Sequence, residues 1–232
     1  MRPVNTRFRL CFILLILLPF AALHAQDAPA STGTDVSVQA ADGHTLYGTY
    51  YAGQGRAALL LHELYTNRAS WEPLVQPLLD SGMAVLTVDL RGYGQTKGKI
   101  NWSAAQDDTT VWAAWLAGQS GITSLVMVGS SMGANLALNG CAAVEGCTGA
   151  VAISPGLNYF GVRTRAALED GFPALLVYAD RDTYPRKDVP EMLEIGAGHA
   201  EALTFEGREH GMDLFTAHAD LAGTIAAWLS AR

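Results

Sequence analysis

The sequence predicts an α/β fold: a mostly parallel sheet of about eight strands, opened by an antiparallel hairpin and covered by helices on both faces. Three observations predict it. Two alternating, strand-like segments come first, joined by the turn dipeptide Asp42-Gly43. Apolar runs of strand length then alternate with helical stretches to the end of the chain. Midway, LVMVGSSMGA (Leu125–Ala134) passes from a buried strand through a glycine-flanked serine into a stretch of small helical residues.

Each element has a local reason. VSVQA (Val36–Ala40) and TLYGTYY (Thr45–Tyr51) alternate apolar and polar residues, as half-buried strands do. RAALLLHE (Arg56–Glu63) is a continuous apolar run with a polar end, the mark of a strand covered on both faces. Trp71–Leu79 is expected to be helical and AVLTVDL (Ala84–Leu90) a buried strand. Ser103–Leu116 is expected to be a helix whose Trp112 and Trp115 pack in the core. After the serine-bearing strand and helix come a strand at Gly149–Ser154, a short helix near Thr164–Leu168 and a strand at Ala174–Asp180. Val189–Ile195 reads as helix, Ala202–Gly207 as strand and Met212–Leu229 as one closing amphipathic helix. Right-handed crossovers then set the wrap. Residues 35–232 are expected to form a single domain.

The N-terminus reads as a signal peptide over residues 1–25. Arg2, Arg7 and Arg9 make a positive start, Leu10–Ala22 is apolar but short for a membrane span, and Ala25 offers a cleavage position before Gln26. An uncleaved anchor is the alternative. Cys11, close behind Arg9, is poorly set for lipid attachment. Residues 26–34 are expected to be a flexible leader. Cleavage leaves 207 residues, enough for a proper core, and moves the net charge from −7 to −10. That acidic balance argues against nucleic acid or anionic lipid as a partner. Cys141 and Cys147, the only cysteines left, are expected to pair in an oxidising compartment; two free thiols packed as small apolar groups are the alternative.

In such a sheet, chemistry collects beyond the carboxyl ends of the strands. Ser131 sits there, at a helix N-terminus, with Gly129 and Gly133 where a Cβ would crowd neighbouring backbone. A serine needs a base, and the base needs an acid to hold its tautomer. Of the six histidines, only His62 and His210 follow a strand end, and His210, after the last strand, is placed to reach across to the serine. YADRDTYP offers Asp180 and Asp182 for the acid; Asp182, further out in the loop, is the expected one, and Asp180, nearer the strand, is expected to end it or to bond loop N–H groups. The order Ser131, Asp182, His210 follows, the alternative being that Asp182 caps a helix and His210 is a surface loop residue.

LLLHE, VLTVDLRGYGQT, GSSMGA, VYADRD and EHGMDLF together resemble the α/β-hydrolases over the whole chain beyond the signal segment. The short stretch between Ser154 and Ala174 makes the chain similar to small lidless members, the dienelactone hydrolase and carboxylesterase-like group. The resemblance implies a Ser131, Asp182, His210 triad and an oxyanion hole from the backbone N–H groups of Met132 and Leu64. Glu63, in HELYTN, stands where many relatives have glycine, as it does in dienelactone hydrolases. Those enzymes use a cysteine where this chain has Ser131, so dienelactone itself is not the expected substrate.

Around this set, Glu63 is read either as a loop-ordering carboxylate or as one holding Ser131 or an arginine. His62 is expected to be structural, its ring bonding a neighbouring loop. HELYT is not a zinc-protease helix, since the second histidine position is Thr66, and no other metal-ligand spacing is present. Asp89–Thr96 reads as a fixed turn at the rim. Tyr65, Tyr159 and Phe160 either line an acyl or alcohol pocket or pack ordinarily. Arg163 and Arg165 either receive an anionic substrate or are solvated loop charges. The expected function is an exported serine hydrolase acting on ester or related acyl bonds of small substrates, without a cofactor. A peptidase or acyltransferase on the same residues, and a non-catalytic binding protein on the same fold, are the alternatives.

Overall fold

The computed structural model describes residues 32–232. The expected signal peptide and the expected leader up to residue 31 lie outside the described residues. The chain runs β1 (Thr34–Gln39), β2 (Thr45–Tyr51), β3 (Gly55–Leu61), a 3-10 turn (Arg68–Trp71), α1 (Glu72–Asp80), β4 (Ala84–Val88) and α2 (Trp102–Ala117). It continues through β5 (Ile122–Ser130), α3 (Met132–Ala143), β6 (Cys147–Ile153), β7 (Asn158–Tyr159), β8 (Val162–Arg163) and α4 (Arg165–Glu169). Then come β9 (Ala174–Ala179), α5 (Pro185–Ile195), β10 (Ala200–Phe205), α6 (Asp213–Ala217) and α7 (Leu221–Ser230).

Eight strands form one sheet in the order β1-β2-β4-β3-β5-β6-β9-β10. β1 and β2 are antiparallel, β2 meets β4 antiparallel, and every pairing from β4 to β10 is parallel. This is the predicted architecture. The opening turn forms as read: Gly43 has φ +78° and the His44 N–H donates to the Asp42 carboxylate at 3.0 Å. The central strands are buried on both faces because successive side chains point to opposite sides. Leu59 and Leu61 pack with Trp112, Leu116 and Leu138 on one face. Ala58 and Leu60 pack with Leu74, Leu78 and Leu229 on the other. Trp112 is buried in the core, and Trp115, partly buried, packs edge-on against it.

Three expectations change. The closing helix is two, α6 and α7, because His218 is extended (φ −129°) and its ring stacks on Phe205 at 4.1 Å, which turns the chain before α7 starts. Thr34 belongs to β1 rather than to a leader, where it pairs with Tyr50. Between β6 and α4 the chain forms a small antiparallel hairpin, β7–β8. Cys141 and Cys147 form a disulfide joining the end of α3 to the start of β6.

Candidate active site

β5 delivers Ser131 to the carboxyl edge of the sheet, where the backbone turns abruptly into α3. Ser131 has φ +51° and ψ −113°, a conformation that costs an L-residue of the order of 1–3 kcal/mol and persists only when its surroundings impose it. Close packing imposes it here. A Cβ on Gly129 would lie 1.9 Å from the Gly133 carbonyl oxygen, and one on Gly133 would lie 2.0 Å from that of Leu61. The Ser131 N–H donates to the Ile153 carbonyl at 2.7 Å, which ties the turn to the end of β6. The side chain retains 9% exposure.

His210 arrives on the loop after β10. Its Nε2 lies 2.8 Å from Ser131 Oγ and its Nδ1 lies 2.7 Å from Asp182 Oδ2. Asp182, beyond β9, is buried. The three residues named from the sequence are thus brought together from three strand ends. Asp180 does what was expected of it, accepting the Gly207 N–H at 3.0 Å. Burial opposes charge on the His210 ring, but the Asp182 hydrogen bond and the nearby charges of Asp182, Glu63 and Asp213 outweigh it, raising the pKa above the usual histidine value. Hydroxyl, imidazole and carboxylate in line allow the ring to take the hydroxyl proton while the carboxylate holds its orientation.

Leu64 and Met132 flank Ser131 in a cleft of about 330 Å³. The Met132 N–H belongs to the first turn of α3, whose donors have no partner within the helix. The Leu64 N–H meets no acceptor among the described residues. Leu64 and Met132, to which the resemblance assigned an oxyanion hole, both line the cleft with Ser131.

Glu63 orders a loop, the one that carries His210. Its Oε2 accepts from Ser130 Oγ at 2.6 Å and from the Met212 N–H at 3.0 Å, while Ser131 bonds His210 instead. It joins the residue before the serine to the residue two beyond the histidine. Gly211 lets it do so: at φ +60°, a Cβ there would lie 1.7 Å from Glu63 Oε2. His62 is structural, as expected. Its Nε2 accepts the Leu90 N–H at 3.0 Å, so Nδ1 carries the proton toward the Glu63 carbonyl, 2.7 Å away. Burial lowers its pKa, keeping it neutral.

Ser154, missed from the sequence, completes the arrangement. Fully buried, it donates to Asp182 Oδ2 at 2.9 Å and accepts the Gly211 N–H at 2.9 Å. Its signal was its place directly after a buried strand, the same rule that found the other three. Asp89–Thr96 is the fixed turn expected: the Asp89 carboxylate accepts from the backbone N–H groups of Arg68 and Gln95. Tyr159 and Phe160 line the cleft, joined by Asn158 and Tyr184, which were not named; Tyr65 follows the cleft residue Leu64. Arg165 pairs with Glu169 and Glu191, and Arg163 is exposed, so neither faces the cleft. Among the described residues, no group of three or more His, Cys, Asp or Glu is placed to hold a metal ion.

A family model described as alpha/beta hydrolase fold matches residues 57–209. The uncharacterised Mycobacterium tuberculosis protein Rv2307c is 32% identical over 112 residues, 46% of this chain and 40% of that protein. Human protein ABHD12B is 37% identical over 76 residues, 32% of this chain and 21% of its own length. The matched segments span two fifths or less of these curated relatives. Among solved structures, the Pyrococcus furiosus esterase Pf2001 superposes with a TM-score of 0.78 at 19% identity, covering 86% of this chain and 90% of that one. Est1E from Butyrivibrio proteoclasticus superposes with a TM-score of 0.71 at 13% identity, covering 87% of this chain and 100% of that one. At these identities the structural likeness is one of fold. The chain belongs to the alpha/beta hydrolase fold family.

Proposed function

We propose that this protein is a serine hydrolase that cleaves ester or related acyl bonds of small substrates through a covalent acyl-enzyme. The observation that carries the reading is the continuous line from Ser131 Oγ through His210 to Asp182, at 2.8 Å and 2.7 Å, at the mouth of an open cleft. Ser131 Oγ attacks the carbonyl carbon as its proton passes to His210 Nε2. The resulting oxyanion takes the N–H groups of Met132 and Leu64. Asp182 stabilises the imidazolium, which then protonates the departing alcohol oxygen as the carbon–oxygen bond breaks. A water, deprotonated by the same ring, attacks the acyl carbon; the carbon–Ser131 Oγ bond then breaks as His210 returns the proton to Oγ, and the acid is released. Asp182 stays ionised throughout.

Export is part of the proposal. It rests on the N-terminal segment read from the sequence and on the Cys141–Cys147 disulfide, which persists in oxidising compartments. Among the described residues, no helix is long and apolar enough to cross a membrane. The test is hydrolysis of short-chain esters by the purified protein, with Ser131→Ala as control. Turnover that vanishes in the variant is expected; equal turnover in both would reject the mechanism.

A further inference from the structure

Four large hydrophobic side chains are exposed among the described residues, and two of them line the Ser131 cleft, Phe160 (67% exposed) and Tyr184 (63%), while a third, Tyr65 (91%), follows the lining residue Leu64 in the chain. An exposed apolar cluster beside a reactive group marks a contact surface rather than chance. The backbone makes the point sharper. Tyr159 pairs with Val162 in the β7–β8 hairpin, so Phe160-Gly161 is a two-residue turn, with φ +48° and +89°. Positive φ at both central residues is the type I′ geometry, which favours Asn or Gly at the first position. A bulky aromatic there is strained. Tyr65, beside the oxyanion-hole position Leu64, is strained in the same sense at φ +63°.

Phe160 is also braced from behind. One face stacks on Trp102 at 6.0 Å, and Trp102 in turn stacks on Tyr93 at 6.3 Å. Tyr184, also in the cleft lining, meets Tyr159 edge to face at 6.1 Å, and the Tyr159 hydroxyl donates to the Ser154 carbonyl at 3.2 Å. The aromatic walls are held in place before any substrate enters. Among the described residues no Lys or Arg lines the cleft, and its one ionisable nitrogen base, His210, is engaged by Asp182 and Ser131.

We infer that Phe160 and Tyr184 form an aromatic clamp, and that the substrates are neutral esters carrying a flat ring next to the scissile group. This rests on Ser131 being the nucleophile. The backbone strain at Phe160 is what the clamp explains: Asn would suit the turn better, and only the ring gives a stacking surface.

The test compares ethyl phenylacetate and 2-phenylethyl acetate, with the ring on the acyl and the alcohol side respectively, against ethyl butanoate. The proteins are the parent, Phe160→Asn and Phe160→Leu. The parent is expected to prefer at least one ring-bearing ester in kcat/KM. Both variants should lose that preference by about three- to tenfold, the range of one aromatic contact. Phe160→Asn should keep or raise the Tm, since Asn suits the turn; if it fails to fold, Phe160→Leu, which retains the apolar bulk, carries the comparison. A parent that turns over all three esters without preference, or a Leu variant that retains the preference, overturns the clamp and leaves the hydrolase reading standing. A folded parent that hydrolyses none of them overturns both.

Discussion

Replacing Ser154 with alanine separates a site held by its surroundings from three residues that merely meet. The hydroxyl is fully buried and does two things, donating to the Asp182 carboxylate and accepting the Gly211 N–H, each at 2.9 Å. A hydrogen bond to a charged group contributes about 1.5–3 kcal/mol, and a buried donor left without a partner costs about 1–3 kcal/mol. The lower ends of those ranges together give a loss of about 2.5 kcal/mol, or a Tm lower by roughly 5–10 °C for a chain of this size. Catalysis should suffer separately. With one of its two side-chain donors gone, Asp182 holds His210 less firmly, and kcat should fall about tenfold with KM little changed, since no substrate contact is lost. Differential scanning calorimetry and steady-state kinetics on a short ester read the two effects. The double variant Ser154→Ala, Asp182→Asn discriminates further: if Ser154 acts through Asp182, it should add almost nothing to the kcat loss of Asp182→Asn alone. An unchanged Tm, or fully additive kcat losses, would refute the role assigned to Ser154.

The remaining expectations concern protonation, packing and the disulfide. Because the pKa of His210 is raised and the reaction needs its neutral ring, kcat/KM should climb with pH to a midpoint above 6.5, and Glu63→Gln should lower that midpoint by removing a nearby negative charge. Stability runs the other way: the contribution of the protonated His210–Asp182 pair is complete below the unfolded value near 6.5 and is lost as pH rises through the higher folded value, which pH-dependent urea titrations can follow. Gly133→Ala places a Cβ 2.0 Å from the Leu61 carbonyl oxygen, so the soluble yield should collapse or the Tm drop by many degrees; native-like stability would contradict the packing described. Replacing both Cys141 and Cys147 with alanine opens a loop of separation six and should cost about 2 kcal/mol in denaturant titrations while leaving kcat intact.

The sheet was legible because its central strands are continuous apolar runs and its turns carry glycine, so each boundary had a local cause. The Ser131, Asp182 and His210 set was legible for a related reason: all three lie just beyond strand ends, where the topology gathers them. What the sequence hid was decided by contacts between distant segments. The residues around His218 carry no strong helix breaker, and the break comes from the ring packing on Phe205. The β7–β8 hairpin was invisible because its turn holds Phe160 where the usual signal would be Asn or Gly. Glu63 was recognised as unusual, but its partners, Ser130 and Met212, lie 67 and 149 residues away in the chain. Ser154 was read as the end of a strand and no more.

The most direct measurement is to treat the folded protein with a fluorophosphonate and locate the adduct by peptide mass spectrometry. The structure's arrangement predicts one adduct, on Ser131 and not on the adjacent Ser130, whose hydroxyl is engaged by Glu63, with labelling abolished in His210→Ala. A folded protein that takes no label, an adduct on Ser130, or labelling that survives the loss of His210 would contradict the proposal that Ser131 is an activated nucleophile.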